Sequence, residues 1–166
     1  GVATIDSHHP LRMSRDATLQ QVADRVAFVE AFGNVTAIDT EEGLVLVDAA
    51  GPLHAQSVHH SIRTWSPRRL HTAVFTHGHV DHIYAVGQFE AEEGAPPARV
   101  IAHEAVPDRL RRYEATNGYN AVINQRQFQL GQPIFPGGYR YPDETYRDHL
   151  DVTVGGVELH LRHDRG

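Results

Sequence analysis

The run Thr72-Ala73-Val74-Phe75 looks like a buried strand, and it empties directly into Thr76-His77-Gly78-His79-Val80-Asp81-His82. Three histidines and one aspartate thus sit within six residues, in the order His-x-His-x-Asp-His, on the loop leaving a strand end. Side chains on extended backbone alternate, so His77 and His79 share one side, and a turn then brings Asp81 and His82 to a neighbouring position. One pair can hold one metal ion and the second pair another. Imidazole nitrogens and carboxylate oxygens are what a zinc-like divalent ion prefers, and a chain with no cysteine offers it nothing softer. Iron and manganese suit the same donors, so the spacing does not name the ion. With 13 histidines in the chain, pairs such as His8-His9 and His59-His60 arise without any such pattern.

Upstream, Gly33 to Asp48 reads as a hairpin whose strands meet at Glu41-Glu42-Gly43. Its first half alternates at period two. Its second half, Leu44 to Val47, is continuously apolar, which means burial on both faces of a sheet covered by helices. The order of hairpin, aspartate, helix and histidine motif resembles the metallo-β-lactamase superfamily of metal-dependent hydrolases, from about residue 20 onward. The resemblance implies an αββα sandwich of α/β class, with only the first sheet and the start of the second present. It also implies that Asp48 supports the metal loop by hydrogen-bonding a ligand imidazole. The domain reading is a loose arm over residues 1–16, followed by the N-terminal part of one such domain over 17–166.

The chain has 166 residues, 40% of them hydrophobic, enough for one domain with a genuine core. Its formal charge is −6 and its basic residues are scattered apart from Arg68-Arg69 and Arg109 to Arg112, so no nucleic-acid partner is expected. No apolar run approaches the roughly twenty residues of a membrane span, and no signal-peptide core is visible; a cytoplasmic location is the expectation. Lack of cysteine removes disulfides and thiolate catalysis together. The first residue is Gly rather than Met, so a processed start is expected.

Between these landmarks the chain alternates. Leu19 to Phe32 suits a first strand pair, and Leu53 to Trp65 an amphipathic helix that Ser66-Pro67 stops. A helix is expected over Ile83 to Glu93, a short buried strand over Arg99 to Ala102, and a helix from Pro107 to Ala115 that Asn117-Gly118 interrupts. Asn120 to Phe128 continues helically, Gly131 to Pro142 is an ordered loop or lid, and Asp151 to Arg162 is a hairpin turning at Gly155-Gly156.

The ending His163-Asp164-Arg165-Gly166 resembles the start of the superfamily's third metal-binding motif, where the third ligand of the first metal would come next. A catalytic metal generally wants three protein ligands and a water, and each pair here supplies two. The chain is therefore expected to be a fragment of a longer protein, with His163 as an alternative third ligand. A half-sandwich would expose the apolar inner face of its first sheet, which a second copy of the chain would cover in a homo-oligomer.

The resemblance implies a metal-bound hydroxide attacking an ester-type small-molecule substrate, with Asp81 orienting it. Asn120, Asn124 and Arg126 lie in a stretch, His103 to Asn124 and just beyond, that loosely resembles the substrate loops of the alkylsulfatase-like branch. An unspecified ester or sulfate ester ranks first, a lactone or thioester second. The non-enzymatic alternative is a metal-binding or oligomerising half-domain without turnover.

Overall fold

The computed structural model describes residues 17–164. The arm over residues 1–16, with Arg165 and Gly166, lies outside the described residues. Seven strands form one sheet in sequence order: β1 (Thr18–Ala23), β2 (Val26–Glu30), β3 (Val35–Thr40), β4 (Gly43–Val47), β5 (Leu70–Phe75), β6 (Arg99–His103) and β7 (Glu144–Tyr146). Neighbours from β1 to β4 run antiparallel, and β4 to β7 run parallel. A second, two-stranded sheet is the hairpin β8 (His149–Val154) and β9 (Val157–Arg162). Helices α1 (Ala55–Trp65), α2 (Ala85–Glu90), α3 (Ala105–Ala115) and α4 (Asn117–Gln127) complete the described elements. None of them is long and apolar enough to cross a membrane.

The central strands are apolar throughout because both of their faces are covered. Leu44, Leu46, Ala73, Phe75, Val100 and Ala102 point to the layer holding Val58 and Ile62 of α1 and Phe89 of α2. The intervening Val45, Val74 and Ile101 point the other way and meet Val152 and Val154 of the β8–β9 hairpin. Each fully buried aliphatic side chain of this kind contributes about 1.5–3 kcal/mol. The apolar inner face expected to lie open is thus closed at its centre by the hairpin, while Ile38, Leu159 and Leu161 at its margins are only partly buried.

The β3–β4 turn explains one glycine. Gly43 has φ +138°, and a Cβ there would sit 2.7 Å from the Arg69 carbonyl oxygen, so the incoming β5 chain needs its bare backbone. The Thr40 hydroxyl donates to the Gly43 carbonyl at 2.7 Å and closes the turn.

Two expectations need correction. The helix expected over 83–93 spans only Ala85–Glu90, after a 3-10 turn at Val80–His82. Its leading amides are drawn to the loop after β4, Tyr84 N–H to the Ala50 carbonyl at 3.0 Å and Ala85 N–H to Ala49 at 2.6 Å. The strand β7 had no sequence signature, because Glu-Thr-Tyr after a Pro-rich loop carries no apolar run. It forms by pairing to the free edge of β6, clamped by Arg99 Nε to Glu144 Oε2 at 2.9 Å. The 131–142 loop is pinned down: Tyr84 donates to the Gly137 carbonyl at 2.9 Å, and Tyr139 is buried with its hydroxyl on Pro136.

Candidate metal centre

Parallel strands deliver their C-terminal loops to one edge of the sheet, and the loop after β5 carries the histidine motif there. Two neighbouring loops shape it. The backbone after β4 binds it through Ala49 N–H to the His82 carbonyl at 2.7 Å. Gly33, at φ +79°, sits so close that a Cβ there would lie 1.7 Å from the Asp81 carbonyl oxygen. Only glycine allows that approach.

The rings gather around His77, whose centroid lies 4.6 Å from that of His79 and 4.2 Å from that of His82. Asp48, Thr76 and His82 are knit together. Asp48 accepts from Thr76 N–H at 2.8 Å, from the Thr76 hydroxyl at 2.7 Å and from Nδ1–H of His82 at 2.9 Å. It does so from the left-handed region, φ +60°, which aspartate tolerates better than most residues. The buried Asp48 carboxylate therefore holds Nδ1–H of His82 and aims Nε2 at Asp81, 3.4 Å from its Oδ2.

Charge is distributed accordingly. Burial, then the neighbouring His82 and His79, hold His77 below the ordinary imidazole value, so it stands neutral with a lone pair to give. Burial works against a charged His82 as well, but the hydrogen bonds and charges of Asp48 and Asp81 outweigh it and raise its pKa to about 9. Burial also pushes Asp81 upward, and the hydrogen bond and charge of His82 push harder, leaving it below the usual carboxylate range.

The members of each expected pair are neighbours, with His77 and His79 ring centroids 4.6 Å apart and His82 Nε2 3.4 Å from Asp81 Oδ2. Among the described residues, the group of three potential ligands whose donor atoms all lie within 4.8 Å of one another is Asp48, His77 and His82. Nε2 of His79 lies 3.4 Å from Nη2 of Arg109. Two hollows flank the motif and share His79. One is a polar cleft of 510 Å³, lined among others by His77, His103, Arg109, Arg162, His163 and Asp164. The other is an apolar groove of 620 Å³ walled by Phe32, Leu53, Val80, Phe128, Ile134 and Phe135, with Asp81 in its lining.

Of the other expected site residues, His163 reaches the polar cleft, but its ring lies flat on His103 at 4.1 Å and outside the ligand-spaced group. Asn124 lines the apolar groove. Asn120 is instead spent on Thr116 Oγ1 at 2.8 Å, and Arg126 is exposed; neither lines either hollow. On α4, helical periodicity carries only part of the seven-residue stretch from Asn120 to Arg126 to one face. Sequence reading missed His103 and Arg109. Arg109 stood in a run of arginines that registered only as charge, and its place beside Val106 and Tyr113 at helical spacing was the usable signal.

A profile of the metallo-beta-lactamase superfamily matches residues 29–164. The chain belongs to that superfamily. Within it, the chain is 27% identical over an alignment of 146 residues to a linear primary-alkylsulfatase of Pseudomonas sp. (strain ATCC 19151), covering 76% of this chain and 28% of that protein. The sec-alkylsulfatase Pisa1 from Pseudomonas sp. superposes with a TM-score of 0.70 at 19% identity, over 88% of this chain and 27% of that one. The metallo-beta-lactamase GOB-18 from Elizabethkingia meningoseptica gives 0.68 at 19% identity, over 95% and 55%. These two show a shared fold. The chain thus spans about a quarter of the alkylsulfatases it matches and about half of the lactamase, and its mixed α/β architecture corresponds to the N-terminal part of the metallo-beta-lactamase fold.

Proposed function

We propose that this chain carries the first portion of a metal-dependent hydrolase site, with His77 and His79 serving one divalent ion and Asp81 with His82 a second. The observation that carries the reading is the gathering of three imidazoles and Asp81 at the end of β5, their rings 4.2–4.6 Å apart around His77. The donor chemistry fits such an ion. His77 is neutral, Asp81 is ionised, and His82 has Nδ1 committed to Asp48, with Nε2 able to ligate once its proton is displaced. Asp48 has both oxygens occupied by Thr76 and His82, so we assign it support of His82 and not ligation. Zinc is the ion that best suits this donor set.

Bound divalent ions supply an acidified water and a polarised ester oxygen. The chain's own residues hold and orient. Asp81, kept ionised beside His82, is the group we assign to orient the attacking hydroxide through its second carboxylate oxygen. Asp48 orients His82 by accepting from its Nδ1–H. With two donors for each ion, further ligands are needed, and β9 brings His163 and Asp164 into the same cleft. Residues following Gly166 in a longer protein are the source we assign for them.

For the substrate, a sulfate ester of an apolar alcohol fits best. The polar cleft and the apolar groove meet at His79, which suits a molecule with an anionic head and an apolar body. Similarity to alkylsulfatases supports the same choice. The test is native mass spectrometry of the chain with added zinc, followed by sulfate release from a primary alkyl sulfate by a longer protein containing this sequence. A chain that takes up no zinc, or takes it up equally after His77→Ala and His79→Ala, refutes the metal reading. Zinc uptake without sulfate release leaves the metal reading standing and removes the sulfate ester.

A further inference from the structure

We infer that Arg109 is the head-group anchor of the polar cleft, a guanidinium that receives a tetrahedral oxyanion, sulfate or phosphate, beside His79. This rests on the hydrolase reading only for the claim that the oxyanion belongs to a substrate.

The first ground is that Arg109 lacks a counter-charge. Arg63 is held by Glu92, Arg99 by Glu144 and Arg140 by Glu90 and Asp143, whereas no carboxylate pairs with Arg109 among the described residues. Its Nε is buried without an acceptor, a condition folded proteins seldom leave unexplained. Its one polar contact, Nη2 to His79 Nε2, is long at 3.4 Å. A planar fork of five donors is thereby left mostly unspent.

The second ground is that the side chain is held in place. Its guanidinium lies over the Tyr113 ring at 5.0 Å, and a Cβ on Gly78 would meet its Cβ and Cγ at 3.0 Å. The motif glycine therefore makes room for the stem of this arginine. A cation so positioned loses little freedom when an anion arrives, and a guanidinium fork matches two oxygens of a sulfate or phosphate at once.

The third ground is the company it keeps. Arg162, His103 and His163 line the same cleft, with Asp164 the single carboxylate among the lining residues. The cleft is cationic in a chain whose formal charge is −6, so the positive charge is local. On the far side of His79 the apolar groove begins, which places the head-group end of an amphiphile at Arg109 and its body toward Phe128 and Ile134.

The test uses the metal-free chain with inorganic sulfate, at ionic strength held constant with sodium chloride, read by the side-chain Nε–H resonance of Arg109 and the ring resonances of His79. Sulfate should move both to saturation, Arg109→Gln should weaken the dissociation constant by about tenfold or more, and Arg109→Lys should fall between. Equal sulfate binding by Arg109→Gln, or shifts that chloride alone reproduces, would overturn the proposal. Should Arg109→Gln fail to fold, an Arg109 resonance in the unaltered chain that sulfate does not move would overturn it equally. The same titration with inorganic phosphate separates the two oxyanions: the tighter one names the ester class. Because no metal is present, failure to bind sulfate is distinguishable from failure to bind zinc.

Discussion

Replacing Asp48 by Asn isolates the electrostatics that hold the motif together. Asparagine has nearly the same shape and tolerates the left-handed backbone that Asp48 adopts at φ +60°, so the change removes charge with little strain. A histidine whose pKa is about 9 in the fold and about 6.5 unfolded stabilises the fold by about 3 kcal/mol while protonated. That stability is fully present below the unfolded value and is lost as pH rises through the folded one. Asp48 and Asp81 share the effect, so Asp48→Asn should cost about 1–2 kcal/mol at roughly pH 6 in the metal-free chain. The gap should narrow as pH passes about 9, where His82 is neutral in both proteins. Urea unfolding with a chelator, repeated across this range, measures it. The amide would also present N–H to Nδ1 of His82, moving the ring proton to Nε2 and spoiling it as a ligand, so zinc affinity should fall about 10–100-fold by calorimetry. If the two proteins lose stability in parallel with pH, His82 does not owe its proton to Asp48 and the reasoning fails.

Other outcomes follow from the same geometry. His77→Ala and His79→Ala should each lose the zinc ion assigned to that pair by native mass spectrometry, and each should gain less melting temperature on adding zinc than the unaltered chain. Zinc affinity for the site that includes His82 should rise steeply with pH up to about 9, since the metal must displace that proton; a flat profile would remove His82 from the ligand set. Gly33→Ala, whose Cβ would lie 1.7 Å from the Asp81 carbonyl oxygen, should lower both zinc affinity and stability, with zinc binding at unaltered strength the contrary result. Ile101→Ala, fully buried between the sheet and the β8–β9 hairpin, should cost about 2–5 kcal/mol in urea; a loss below 1 kcal/mol would mean the hairpin is not firmly seated.

Much of this protein was legible as one-dimensional pattern, because short-range physics writes itself locally. Continuous apolar runs at Leu44–Val47 and Thr72–Phe75 announce strands covered on both faces, and the structure covers them with helices on one side and a hairpin on the other. The motif His77 to His82 is contiguous, so a single turn suffices to cluster it. What the sequence could not show were relations created by packing distant segments. Arg109 meets His79 only because α3 docks beside the β5 loop where Gly78 leaves room for its stem. His103 meets His163 because β9 returns over the end of β6. β7 exists because an edge strand offered unpaired backbone. Local residue order by itself determined the strand-end donor set, since its spacing lies within one loop. Tertiary structure alone decided that Asp48 holds His82 and that Arg109 stands beside His79, because those contacts are set by hydrogen bonds and packing across elements far apart in the chain.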